Sequence, residues 1–127
     1  MTKRVHTPAA PEAIGPYSQA ILSGGLVFCS GQIAIDPETK RLIDGDATAQ
    51  TRQVMQNLGA VLDAAGASFA SVLKTTIYLA QMDDFAAVNA VYGEAFDEVP
   101  PARATVAVAA LPLGACVEID VIAFVEG

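Results

Sequence analysis

Only two stretches of this chain carry helical periodicity, while its other apolar runs have the length and β-branching of strands. That ratio is its tightest constraint. From Asp46 to Ala65, Val54, Leu58, Val61, Leu62 and Ala65 recur at three- and four-residue spacing and predict one amphipathic helix. Asp46 is placed to cap its start and Gly66 to end it. Gly59 sits mid-helix, where close packing against a sheet would explain it. A second helix starts at a capping Asp83 or Asp84, turns Phe85, Val88, Tyr92 and Phe96 inward, and stops before Pro100-Pro101. Strands are read at Leu26–Ser30 continuing toward Ile35, at Val72–Leu79, Ala102–Val108 and Val117–Val125, with a weaker pair before Leu26. Asp36-Pro37-Glu38-Thr39 supplies turn chemistry. The order is a β-rich start followed by βαβαββ, which predicts an α+β layer: a mixed sheet with two helices on one face.

The other sheet face then needs a cover, and no third helix is available. Composition sharpens the point. The chain has 127 residues, enough for one domain over 1–127, and 53% of them are hydrophobic. Its mean hydropathy is +0.43. A small domain cannot easily hide that much apolar sequence alone, so a homo-oligomer packed through the open sheet face is expected.

Charge narrows the partners. Seven Lys and Arg stand against 14 Asp and Glu, for a net charge of −7. The only adjacent cations are Lys3-Arg4 and Lys40-Arg41, so no basic stripe exists for a nucleic acid or an anionic membrane surface. The uncharged stretch Ala104–Val117 contains Pro112 and Gly114 and is shorter than a membrane span. Lys3 and Arg4 are followed by no apolar segment of signal-peptide type. Cys29 and Cys116 are far apart, lie in apolar runs, and read as buried thiols of a cytoplasmic protein.

Few residues carry chemistry. Arg103 is the only cation after Lys74 and lies in a run of small apolar residues. Strand alternation puts Arg103, Thr105 and Ala107 on one face. Two readings stand for the guanidinium: an ion pair with Glu118 or Asp120, or a site for a carboxylate ligand. Glu118 and Asp120 alternate with Val117, Ile119 and Val121, and share a face with Ile122 and Phe124. On an isolated sheet they would be solvated; beneath another subunit a carboxyl there would have a raised pKa suited to proton transfer. Gly15-Pro16-Tyr17 is a turn carrying an aromatic hydroxyl. Ser30-Gly31-Gln32 ends a strand, with Gly31 marking a β-bulge or a close approach. Asn89 lies beside the apolar stripe of the second helix, where it can cap or bridge a backbone group or meet a ligand. His6 is the only histidine, and neither a phosphate loop nor a dinucleotide fingerprint is present. Lys74 reads as a strand lysine reaching to solvent.

Six pieces in order resemble the RidA/YjgF family over essentially the whole chain. They are Gly15-Pro16-Tyr17-Ser18-Gln19, Ser30-Gly31-Gln32, Lys74-Thr75-Thr76-Ile77-Tyr78-Leu79, Asn89-x-x-Tyr92, Pro101-Ala102-Arg103-x-Thr105 and Val117-Glu118-Ile119-Asp120. The resemblance implies a chorismate-mutase-like (YjgF-type) fold, a homotrimer and sites in the clefts between subunits. It implies hydrolytic deamination of reactive 2-imino and 2-enamino acids, such as 2-aminoacrylate and 2-aminocrotonate, to 2-keto acids and ammonia. No metal or organic cofactor is implied; the partner is a small-molecule substrate. Arg103 matches the family's substrate-carboxylate arginine and Glu118 its water-handling glutamate, while Tyr17, Ser30, Gly31 and Asn89 match other cleft positions. Thr105 stands where many members carry cysteine, which removes a thiol but keeps a backbone N–H; Asp120 replaces the commoner glutamate. Competing readings are a related hydrolase of an aminomuconate- or carbamate-type substrate, a non-catalytic binder of small carboxylates or chaperone-like protein, and a ribonuclease.

Overall fold

A computed structural model describes residues 2–126. Its strands are β1 (Thr2–Val5), β2 (Ala20–Ser23), β3 (Leu26–Gln32), β4 (Val72–Leu79), β5 (Ala102–Ala107) and β6 (Val117–Phe124). Helix α1 (Ala47–Ala64) joins β3 to β4, and helix α2 (Phe85–Gly93) joins β4 to β5. All six strands form one sheet in the order β1-β2-β3-β6-β4-β5. β4 and β5 are parallel, as a helical crossover requires, and the other neighbours are antiparallel. The expected α+β layer of a mixed sheet and two helices is what forms.

The local chemistry of α1 follows its sequence. Asp46 accepts a hydrogen bond from the Ala49 N–H at 3.0 Å. At the other end Gly66 adopts φ +81°, and the N–H groups of Gly66 and Ala67 return to Asp63 and Leu62 at 3.1 and 2.9 Å. That double closure is a Schellman motif, and its left-handed residue favours glycine. Val54, Leu58, Val61 and Leu62 are fully buried against Val27, Ile77, Val117 and Ile119 of the sheet. Gly59 makes its close approach elsewhere than expected. A Cβ there would sit 3.3 Å from the Phe69 ring, so the 3₁₀ turn Phe69–Ser71, and not the sheet, explains it.

The second helix departs from expectation at both ends. A 3₁₀ turn over Met82–Asp84 leads into it, and Asp84 occupies the cap position without a side-chain cap bond. The helix ends at Gly93, short of Phe96. Phe96 still joins the core, edge-on to Phe69 and tilted against Tyr92 at 4.8 Å between ring centroids.

Both helices pack on one face in a single core with Val88 and Tyr92 of α2. The opposite face carries no helix. There Phe28, Val106 and Phe124 remain 43, 43 and 42% exposed, beside half-buried Ile122, Glu118 and Asp120. No helix of the described residues is long and apolar enough to cross a membrane.

A buried amide stitches the chain beyond β3 to α1. Asn57, 1% exposed, donates to the Ile33 and Ile35 carbonyls at 3.3 and 2.9 Å, and its own oxygen accepts from Gln53 at 2.9 Å. Asn57→Ala is expected to lower unfolding stability by about 1–3 kcal/mol, because one buried and one part-buried carbonyl lose their donor. Urea unfolding of the two proteins side by side checks this; equal midpoints would remove the amide from the list of supports.

Candidate active site

Glu118 stands on the helix-free face of β6, at the centre of the sheet. Its neighbour on β3 is where the strand register breaks, between Cys29 and Gln32. The bulge brings Gly31 against the carboxylate. A Cβ on Gly31 would lie 2.9 Å from Glu118 Cδ and 3.1 Å from Cγ, and would collide with Oε2. The bulge reading of Gly31 holds, and the close approach it makes is to the Glu118 side chain, for which it floors a notch. Partial burial, and secondarily the charge of Asp120, push the Glu118 carboxyl above the ordinary carboxylate range. Across the strand pair Tyr78 faces Glu118, and its hydroxyl donates to Asp120 Oδ2 at 3.0 Å.

The Tyr17 turn is tied to the same strand end. The Ser30 hydroxyl donates to the Ser18 carbonyl at 2.5 Å, and the Ser30 N–H to the Gln19 carbonyl at 2.9 Å. Buried Gln19 in turn pins the N-terminal segment, accepting from Thr7 N at 2.7 Å and donating to the Pro11 carbonyl at 2.8 Å. Gly15 takes φ +120°, and the Tyr17 hydroxyl accepts from Ile14 N at 3.3 Å. The Tyr17 side chain remains exposed.

Arg103 lies elsewhere. It pairs with Thr75 across β4 and β5, and Thr75 is on the helix side of the sheet, its hydroxyl 2.8 Å from that of Tyr92. The guanidinium carbon sits 5.2 Å from the Tyr92 ring centroid and 5.6 Å from that of Phe85. Nη1 donates to Asn89 Oδ1 at 2.6 Å. Asn89 thus meets neither a backbone group nor a cap. Of the two readings of Arg103, the ion pair with Glu118 or Asp120 does not form among the described residues. The register puts Arg103 and Thr105 in rows with Thr75 and Ile77, whereas Glu118 and Asp120 share rows with Tyr78 and Thr76 on the other face. The one ion pair among the described residues is Arg52–Glu94, exposed on both sides.

Within one chain the proposed site residues therefore form two groups. Glu118, Gly31 and Ser30, with Tyr17 attached through Ser18, form one group around the carboxyl notch. Arg103, Asn89 and Thr105 form the other, on the helix side of the β5 edge. The Thr105 hydroxyl is buried with no hydrogen-bond partner among the described residues. Tyr78, Phe85 and Tyr92 were not singled out as site residues from the sequence. Tyr78 alternates on β4 at a position that a correct strand pairing would have placed opposite Glu118. Cys29 is buried, and burial with the nearby Asp120 charge pushes its thiol up to about 12, too high for a nucleophile. Among the described residues no group of three or more His, Cys, Asp or Glu is placed to hold a metal.

A six-stranded sheet with this carboxyl notch and stacked arginine defines a class of small α+β protein, and comparison with known proteins identifies it. The family model described as endoribonuclease L-PSP matches residues 7–125, and the chain belongs to that family. The likeness to RidA/YjgF proteins extends through whole chains. Protein DfrA of Myxococcus xanthus is 54% identical over 95% of this chain and 94% of its own. A mouse 2-iminobutanoate/2-iminopropanoate deaminase is 46% identical over 95% of this chain and 90% of its own. A crystal structure from Yersinia pestis, YyfA, described as a protein of unknown function of the conserved Rid family, superposes with TM-score 0.96. It is 47% identical and covers 98% of this chain and all of its own.

Two outcomes test the notch. Gly31→Ala is expected to leave the fold intact but swing the Glu118 carboxylate out of place, lowering turnover by about 10-fold or more. Circular dichroism with an activity assay separates the two effects; full turnover in a folded variant would mean that the notch does not matter. Glu118→Gln tests the raised carboxyl. As pH climbs past about 4.3 the unfolded chain ionises Glu118 first, so this group's contribution to stability declines until the folded carboxyl ionises as well. The Gln variant lacks that loss. Its melting temperature should match the parent near pH 4 or below and exceed it at pH 7.

Proposed function

We propose that this chain hydrolyses reactive 2-imino and 2-enamino acids, such as 2-aminoacrylate and 2-aminocrotonate, to 2-keto acids and ammonia. The observation that carries the reading is the pair of complementary half-sites. One offers a carboxyl of raised pKa in a shaped notch; the other offers an immobilised guanidinium with donors to spare. A small carboxylate with an electrophilic C=N bond needs both. The name of the mouse relative, 2-iminobutanoate/2-iminopropanoate deaminase, points to the same chemistry.

Arg103 binds the substrate carboxylate and so fixes the adjacent imine carbon. Glu118 takes a proton from a water as its oxygen attacks that carbon. The product is a carbinolamine, with oxygen and nitrogen on one tetrahedral carbon. With the imine nitrogen protonated at the outset, Glu118 then returns its proton to that nitrogen, the C–N bond breaks as ammonia leaves, and the hydroxyl proton passes to the freed Glu118 carboxylate as the carbonyl of the 2-keto acid forms. An enamine first gains a proton at C3 to become the imine. Tyr17, Ser30 and Gly31 shape the Glu118 side, while Asn89 and the Thr105 N–H serve the Arg103 side. No cofactor takes part in this scheme.

Residues on opposite sheet faces cannot both touch one such substrate inside a single chain. We therefore assign the working unit to a homotrimer of the chorismate-mutase-like type. Each chain, a single domain over 1–127, presents the Arg103 edge of one copy to the Glu118 face of the next. Burying Phe28, Val106 and Phe124 there would also account for the apolar face. The family description raises RNA cleavage as a second activity. The net charge of −7 favours a small substrate.

The test is a coupled assay in which a threonine or serine dehydratase generates the imine and its decay is followed. Arg103→Ala should abolish acceleration without dissociating the oligomer, and near-parental activity would refute the assignment. Glu118→Gln should lower turnover about 10²-fold or more while 2-keto acid binding survives. Co-refolding these two inactive variants should restore activity, because some seams in hybrids pair an intact Arg103 with an intact Glu118. Light scattering should give three times the 13.1 kDa chain mass; a monomer, or hybrids that never regain activity, would count against shared sites.

A further inference from the structure

We propose that Phe85 and Tyr92 of α2 are positioning residues that clamp the Arg103 guanidinium by its faces and leave its remaining N–H edge open for the substrate carboxylate. The inference rests on the reading of Arg103 as the carboxylate anchor. Arg103 stands on an edge strand, and its residue is exposed. A free arginine there would sample many rotamers and lose much of its affinity to ordering. Here it does not stand free. Two aromatic rings lie 5.2 and 5.6 Å from the guanidinium carbon, within the range of cation–π attraction. Asn89 takes one N–H from Nη1, and no other hydrogen bond to the guanidinium occurs among the described residues. The donors left over can meet a carboxylate as a planar pair.

The clamp is itself anchored. Tyr92 is 5% exposed, packs against Phe96, and shares a 2.8 Å hydroxyl contact with the fully buried Thr75. Thr75 is the residue of β4 directly paired with Arg103 on β5. The backbone that carries the arginine and the ring that holds its tip are thus fixed to each other through one hydroxyl pair. Phe85, at the first turn of α2, supplies the second ring from a half-buried position. Phe85, Asn89 and Tyr92 lie at helical spacings of four and three, so one face of α2 presents all three groups. Asn89 alone could bond a lysine or a neutral donor; the rings add a preference for a cation, and a planar guanidinium can in addition lay its face on them.

The experiment measures calorimetric binding of 2-oxobutanoate, and of its uncharged amide, to the assembled parent protein and to Phe85→Leu, Tyr92→Leu, Tyr92→Phe and Arg103→Ala. Phe85→Leu keeps an apolar group at a half-buried site and is the variant least able to disturb folding. Its affinity for 2-oxobutanoate should fall about three- to tenfold, the worth of one such contact, while affinity for the amide holds. Tyr92→Leu should fall at least as far, and Tyr92→Phe, which keeps the ring, should recover most of the loss. In the imine assay Phe85→Leu and Tyr92→Leu should raise KM and leave kcat within about twofold, because an arginine that still binds still aligns the substrate. Parental affinity in Phe85→Leu, alongside lost binding in Arg103→Ala, would overturn the clamp while sparing the anchor. Equal loss for acid and amide would also overturn it, by showing that the rings touch the body of the ligand. Parental binding in Arg103→Ala would remove the anchor reading and the clamp with it.

Discussion

The structure hangs on the insertion of β6 between β3 and β4. This strand alternates Val117, Ile119, Val121 and Ala123 on one side with Glu118, Asp120, Ile122 and Phe124 on the other. The first set is 0–2% exposed and forms the floor on which α1 rests, in one core with Val88 and Tyr92 of α2. Because a one-residue slip would reverse every side chain, burial of that first set dictates that the two carboxyls face away from the helices. The position of Glu118 is therefore a by-product of the core. Core burial is worth about 25 cal/mol for each Å² of apolar surface, so the four buried apolar residues of this strand outweigh the cost of its two half-buried carboxyls.

The same pleat separates the chemistry into halves. Glu118 is held beside Gly31 where desolvation raises its pKa, and Arg103 is held on the opposite side among aromatic rings that favour its charge. Had the two met directly, each would have neutralised the other. A carboxylate paired with an arginine ionises at lower pH and loses its use as a base, and a paired guanidinium has fewer donors for a ligand. Keeping them on opposite sides of a sheet preserves both properties within the chain, and in the proposed trimer the two would meet at one seam. The apolar residues left on the helix-free face, Phe28, Val106 and Phe124, are of the kind that such assembly would bury.

Much of the fold was legible because its elements are locally encoded. The strand at Val72–Leu79 forms with the bounds expected from its β-branched run, and the long helix begins one residue after its Asp46 cap and ends two residues before its Gly66 stop. Where expectation and structure part, tertiary contact is the reason. Asp84 does not cap α2 because a preceding 3₁₀ turn sets the entry instead. Phe96 leaves the helix yet stays in the core through Phe69 and Tyr92. Gly59 makes room for an aromatic ring and not for a strand. The candidate residues Arg103, Glu118, Tyr17, Ser30, Gly31, Asn89 and Thr105 were all visible as types in suggestive settings. Their grouping was not, since the order of strands in the sheet is set by long-range pairing.

By itself the sequence determined the kinds of element, their order, the excess of apolar surface and the short set of residues able to do chemistry. Each of these depends on periodicity or residue type within a few positions, which local physics reads directly. Only the tertiary structure decided that Arg103 pairs with Thr75 and Glu118 with Tyr78, and hence that the two lie on opposite faces. It also decided that Asn89 and two rings of α2 hold the arginine, and that a bulge brings Gly31 to the glutamate. Strand alternation shows which residues of one strand share a side. Which side that is, and what lies across from it, comes only from the register of strands far apart in the chain.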